Sequence, residues 1–197
     1  MATLSGPHAY LFGGDKPWLA ESWVASDDRV RGGKSQSHLD YKPDSKDTVR
    51  FHGELDITAL GGAGFASQRS PDPQHWNLSG YEGLRLKIEN GDGKKYTVII
   101  KDEILAQRPD GREQSTVSWE YDFPGTRSEL HIRWLDLKPT YRGKPKPDAK
   151  PLDLTSIKRI SIMMRSFFGE QEGPFDLELR HIAATVFQEQ SQAAVLS

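Results

Sequence analysis

Between Gly80 and Glu103 the chain alternates apolar and polar positions in two successive runs. Leu84, Leu86 and Ile88 alternate with Arg85, Lys87 and Glu89. A period of two predicts a strand with one buried face. Asn90-Gly91-Asp92-Gly93 follows, and glycine there permits the positive φ of a tight hairpin. Then Tyr96, Val98 and Ile100 alternate with Thr97, Ile99 and Lys101. Both faces of this second strand are fairly apolar, as near the middle of a sheet packed on another layer. It ends in the charged triplet Lys101-Asp102-Glu103. The pattern predicts a hairpin around which the other strands pack.

The same alternation recurs along the chain. Strands are predicted at 37–41, 48–57, 116–123, 129–137, 159–168 and 174–182, and Gly61 to Arg69 reads as a turn feeding another short strand. Residues 1–14 read as an irregular lead-in. The segment Lys138 to Pro151 is basic and proline-rich, which keeps it out of a central ladder. Residues 152–158 suit a short helical turn, and 188–197 a flexible tail. With about nine or ten strand segments and no long amphipathic helix, the prediction is all-β. The architecture is a two-sheet antiparallel β-sandwich of jelly-roll type, one domain over 1–187.

Composition narrows the function classes. The 197 residues carry 26 basic and 28 acidic side chains, a formal net charge of -2. That balance gives no dedicated nucleic-acid surface. No apolar run approaches the roughly 18 residues of a membrane span. Cysteine is absent, which removes disulfides, iron–sulfur ligation and thiol chemistry. The N-terminus has neither a secretory signal nor a basic amphipathic presequence, and the cytosol is the expected location. The six histidines form no H-x-x-x-H or H-E-x-x-H pattern, so no metal and no cofactor is expected.

Several segments, in order, carry a resemblance. They are Ser26-Asp27-Asp28-Arg29-Val30-Arg31-Gly32-Gly33-Lys34-Ser35, Phe51-His52-Gly53-Glu54-Leu55, and Gly61-Gly62-Ala63-Gly64-Phe65-Ala66-Ser67-Gln68-Arg69. Leu78 to Leu84, Asn90 to Tyr96 and Gly173 to Leu179 continue the series. From about Trp23 to Ile182 the chain resembles the complex I intermediate-associated protein 30 family. The resemblance implies a galactose-binding-domain-like jelly roll, akin to carbohydrate-binding modules. Founding members are mitochondrial complex I assembly factors; residues 1–28 read as no basic presequence, which is the expected departure from them.

Candidate chemistry is sparse. Asp27, Asp28 and Arg29 read either as a carboxylate pair for acid–base or cation work or as a structural loop bonding backbone amides, and the loop reading leads. Gly32 and Gly33 serve backbone conformation. Lys101, Asp102 and Glu103 end a strand, either facing a cleft or solvated. Arg69, Arg133 and Arg165 sit in or beside apolar strands, where an arginine either lines a groove or is paired internally. With Lys101 they define the expected ligand face, and Tyr121, with Trp119 and Trp134, is a candidate aromatic platform, although aromatics at alternating positions are more often core. His52 is a candidate acid–base residue on a polar strand face.

The function these features support is a non-catalytic binding or chaperone-like module holding a protein partner, with neither nucleic acid nor a membrane span involved. The alternative is a cofactor-free isomerase, cyclase or lyase acting on a small molecule in the sandwich groove. A carbohydrate-binding module ranks third, because nothing indicates secretion.

Overall fold

The alternating segments close into two layers. The computed structural model describes residues 7–187. Its strands are β1 (His8–Gly13), β2 (Val24–Ala25), β3 (Gln36–Lys42), β4 (Ser45–Leu55), β5 (Phe65–Arg69), β6 (Gly83–Gly91) and β7 (Lys95–Lys101). They continue as β8 (Ser118–Pro124), β9 (Ser128–Arg133), β10 (Lys138–Tyr141), β11 (Lys144–Pro145), β12 (Arg159–Arg165) and β13 (Gly173–Thr185). One sheet has six strands in the order β3-β4-β13-β6-β9, with β1 also paired to β13 beyond the end of β4. The other has seven, β11-β10-β8-β7-β12-β5-β2. Every ladder is antiparallel. The all-β, two-sheet sandwich expected from the alternation is therefore what the chain forms.

The core lies between the layers. Val49, Phe51, Leu84, Leu86, Ile88, Leu177, Leu179 and Ile182 face it from the six-stranded sheet. Ala66, Tyr96, Val98, Ile100, Phe123, Ile160, Ile162 and Met164 face it from the seven-stranded sheet. Burial of each large side chain is worth about 1.5–3 kcal/mol, so this interface dominates the favourable side of folding.

The expected hairpin is corrected. β6 and β7 share no ladder: β6 pairs with β13 and β9, β7 with β8 and β12. Asn90 to Lys94 is instead an arch that carries the chain from one layer to the other. Tyr96, fully buried, donates its hydroxyl to the Asp92 carboxylate at 3.0 Å, and Gly93 N–H donates to Gly125 O at 2.9 Å. Gly93 has φ +80°, as a turn glycine should. Gly91 is needed for another reason: a Cβ there would stand 2.2 Å from Gly125 O.

The lead-in is corrected too. Residues 8–13 form β1, and Ala9, Leu11 and Phe12 are buried. Phe12 stacks on Trp18 with ring centroids 5.6 Å apart and meets Trp23 and Trp76 edge-on. Trp18 donates its indole N–H to Arg180 O at 2.9 Å, tying this segment to β13. The proline-rich segment does stay at an edge, as β10 and β11. No helix forms at 152–158; the Asp153 carboxylate accepts from Thr155 N–H and hydroxyl in a turn. The predicted tail at 188–197 lies outside the described residues.

Candidate functional site

The acidic pair is structural. Asp28 is fully buried, and its carboxylate accepts from Ser35 N–H, Ser35 hydroxyl and Phe65 N–H at 2.8–3.0 Å. Asp27 accepts from Ser37 N–H, Ser37 hydroxyl and Ser67 N–H. Both carboxylates are buried with both oxygens engaged in stitching β3 to β5 and the loop between β2 and β3, out of reach of a substrate.

The concentration of chemistry is on the outer face of the seven-stranded sheet. Register fixes which side chains share it: Arg159 is opposite Lys101, Ser161 opposite both Ile99 and Arg69, and Arg165 opposite Phe65. Glu120 and Asp122 of β8 join them opposite Ile99 and Thr97. Arg69, Lys101 and Arg165 thus stand on one face, each projecting from a strand.

Two charged nodes form there. At one end Arg165 donates to Glu120 at 2.8 Å and to Asp122 at 2.6 Å. Glu120 also accepts from Thr140 hydroxyl and Asp122 from Thr97 hydroxyl. Beside them the Arg165 guanidinium lies 4.7 Å from the Phe167 ring centroid, the Lys95 ammonium 4.4 Å from it, and Arg31 5.4 Å from that of Phe65.

At the other end Arg159 donates from Nε and Nη2 to Asp72 and from Nη1 and Nη2 to Glu113. Arg69 donates to Asp72 at 2.5 Å and pairs with Glu113 at 3.1 Å. Lys101 donates to Thr116 hydroxyl at 2.8 Å and Thr116 O at 3.2 Å. These groups, with Ile104, Leu105, Gln107 and Gln114, line a cavity of about 200 Å³ roofed by residues 102–117. Burial, and then repulsion from Arg159, brings the Lys101 ammonium down to about 8. Burial works to raise Glu113, but hydrogen bonding and charge from Arg159, with Arg69 and Lys101, hold it below the ordinary carboxylate range.

The remaining sequence candidates lie elsewhere. Arg133 is on β9 of the six-stranded sheet, paired with Asp136 at 2.9 Å, so it is not on the face shared by Arg69, Lys101 and Arg165. Tyr121 alternates with Glu120 and Asp122 and packs on the core. Asp102 accepts from Asp153 N–H at 2.8 Å, outside the cavity, and Glu103 offers only its backbone carbonyl, to Thr116. His52 is on the outer face of the other sheet, bonded to Asp40 at 2.8 Å. Sequence reasoning missed Asp72, Glu113, Glu120 and Arg159. Arg159 and Glu120 had a signal, since each takes a polar position beside apolar ones, Arg159 before Ile160 and Ile162 and Glu120 between Trp119 and Tyr121. Among the described residues no three His, Asp or Glu side chains gather as a metal would require. A larger cavity of about 630 Å³ lies on the other sheet, by His8, Arg85 and His131. It is bounded by Pro7 and Phe187, the limits of the described residues, so the smaller charged cavity is the better-defined site.

Residues 12–179 match the family described as Complex I intermediate-associated protein 30. The chain is 43% identical over 181 residues to uncharacterized protein C9E9.15 of Schizosaccharomyces pombe, across 88% of this chain and 82% of that one. A similar solved structure is the family 11 carbohydrate-binding module of Clostridium thermocellum in complex with a β-1,3-1,4-mixed-linked tetrasaccharide. Its TM-score is 0.61 at 14% identity, covering 93% of this chain and 98% of the module. The family 11 module of the cellulosomal cellulase Lic26A-Cel5E from the same organism gives 0.60 at 13%, covering 95% and 99%. At such identities the likeness is one of fold.

Proposed function

The chain belongs to the complex I intermediate-associated protein 30 family, and from that premise we propose that it is a non-catalytic binding module. It engages a protein partner through the outer face of the seven-stranded sheet, in the manner of an assembly factor or chaperone. The observation that carries this reading is the condition of that face. Its charges are pre-paired into two nodes, while the β8 aromatics Trp119 and Tyr121 pack on the core. A sugar ring is held by flat aromatic faces turned to solvent, so the jelly-roll likeness to sugar-binding modules does not extend to this surface. Alternating fixed charges suit a complementary protein surface.

Apolar contact is supplied beside the Arg165 node. Phe168 is 97% exposed, next to Phe167 in sequence, and Val30 is 80% exposed, next to Arg31. Aromatic and arginine side chains carry most interface energy, which makes Phe168 and Arg165 the anchors of this surface. The family's description supplies the partner class, a subunit of an incompletely assembled complex I.

A photo-crosslinking amino acid at position 168, with one at position 52 on the opposite face, tests the reading in the native host. Crosslinks to a complex I subunit from 168 and not from 52 are expected. Crosslinks from neither position, or equally from both, would overturn it. The expected address is cytosolic, where a complex I subunit would be met before its import; recovery of tagged protein in the mitochondrial matrix would overturn the address and support the assembly-factor reading.

A second reading, a cofactor-free isomerase, cyclase or lyase, is favoured by Lys101. With its ammonium at about 8 inside a cavity, part of it is a free amine near neutral pH, fit to accept a proton. Metabolite profiling of a Lys101→Met strain separates the two. An accumulated precursor supports an enzyme; an unchanged profile leaves the binding module.

A further inference from the structure

The cavity at Lys101 gathers three cations, Arg69, Lys101 and Arg159, against two carboxylates, Asp72 and Glu113. The two carboxylates are not equivalent. Asp72 follows β5 closely, its side chain is 17% exposed, and Arg159 grips it through Nε and Nη2. Glu113 arrives from the roof, residues 102–117, which contain no strand, and its side chain is 41% exposed. It covers the donors that Asp72 leaves: Arg159 Nη1 and Nη2, and Arg69 Nη2. A carboxylate bridging two strand-borne guanidinium groups is the geometry by which arginine recognises a carboxylate ligand.

Lys101 adds a cation that the cluster does not neutralise. Its ammonium donates only to the two Thr116 oxygens, and among the described residues no carboxylate lies within 4 Å of it. An ammonium has three donors, so one remains uncommitted. Ile104 and Leu105 supply an apolar wall to the same cavity.

We propose that Arg69, Arg159 and Lys101 form a receptor for a small carboxylate with a short apolar chain, and that Glu113 occupies it as the chain's own displaceable stand-in. The incoming carboxylate takes over the Glu113 donors and gains Lys101, while its apolar chain lies along Ile104 and Leu105. The roof is released from its ionic tether in the same event. Asp72 stays in place as the counter-ion that keeps the two arginines aligned. This receptor stands independently of a protein partner at the Arg165 end of the face.

Isothermal titration of the full chain with butyrate, and separately with inorganic phosphate, tests the proposal. Glu113→Ala removes the competitor and is expected to bind butyrate about ten-fold or more tighter than the unaltered chain, a gain of about 1.4 kcal/mol. Glu113→Gln should show the same direction, which guards against a roof distorted by the alanine. Adding Lys101→Met or Arg69→Met to Glu113→Ala should abolish the gain, with an unchanged circular dichroism spectrum. Absence of saturable butyrate binding in folded Glu113→Ala and Glu113→Gln, or binding indifferent to Lys101→Met, would overturn the receptor. Tighter binding of phosphate than of butyrate would overturn the carboxylate assignment. Neither result alters crosslinking from position 168, so this proposal and the partner surface fail separately.

Discussion

Asp28 and Gly33 touch so closely that a Cβ on the glycine would lie 2.2 Å from the Asp28 carboxyl carbon. The glycine N–H also donates to Asp28 O at 3.1 Å. The two residues close the loop that presents the Asp28 carboxylate to Ser35 and Phe65. The spacing of acid and glycine in the family-like segment is thus a packing requirement.

Asp28→Ala strips the acceptor from Ser35 N–H and Phe65 N–H, while the Ser35 hydroxyl keeps Asp56 O at 3.2 Å. Each buried donor left unmet costs about 1–3 kcal/mol, so a loss of about 3 kcal/mol or more is expected in urea unfolding. Gly33→Ala should also lose stability, because the carboxylate cannot retreat without breaking those bonds. Crosslinking per folded molecule should be unchanged for both.

Arg165→Met leaves Glu120, whose side chain is 8% exposed, with Thr140 as its remaining partner. Breaking a fully buried ion pair costs about 3–5 kcal/mol. Arg165 is 24% exposed, so about 2–3 kcal/mol is expected here. The double variant Arg165→Met with Glu120→Gln should recover part of it. A double variant as unstable as the sum of the singles would show that the pair is not coupled.

Lys101 makes stability rise with pH on the alkaline side. Its folded-state value of about 8 lies below the ordinary 10.5, so the unfolded chain binds more protons between those values. Holding the ammonium in the cavity is a cost present below about 8 and relieved as pH rises. Tyr81 and Tyr96 are raised, chiefly by burial, and act in the opposite direction near and above pH 10. Unfolding free energies from about pH 8 to 9.5 should climb in the unaltered chain and lie flatter in Lys101→Met.

His181 sets an acid counterpart. Burial first, then the charge of Arg85, brings its imidazole down to about 4, and among the described residues its Nε2 has no hydrogen-bond partner. The unfolded histidine takes its proton near 6.5, so stability carried by the neutral ring is lost as pH falls from there toward 4. His181→Gln should show a shallower decline over that window, read as the difference between the two pH profiles.

Alternation along the sequence disclosed which side chains share a face, and no more than that. It placed Leu84, Leu86 and Ile88 inward correctly, and likewise Tyr96, Val98 and Ile100. It could not say that these triplets face each other across the core, because a hairpin and an arch leave the same period and the same glycines. β1 escaped notice for a different reason: an irregularity between Tyr10 and Phe12 puts Leu11 and Phe12 inward in succession and erases the period. At the site, alternation puts Arg69, Lys101 and Arg165 on the polar positions of their strands, and the structure brings them to one face. Arg133 has the same strand-level signature on the other sheet. Asp72 and Glu113 come from loops, where no periodicity marks the direction of a side chain.

The place of β13 has a consequence for synthesis. This strand lies inside the six-stranded sheet, with β4 and β1 along one edge and β6 along the other. Until residue 185 has left the ribosome, β1, β4 and β6 lack the neighbour that joins them. The arch gives no hairpin between β6 and β7, and the local hairpins β3–β4 and β10–β11 lie at sheet edges, so closure of the two layers relies on contacts between distant parts of the chain, the slow kind. A nascent chain halted before Gly173 should remain open to proteases and exposed to chaperones, and compaction should come late and in one step.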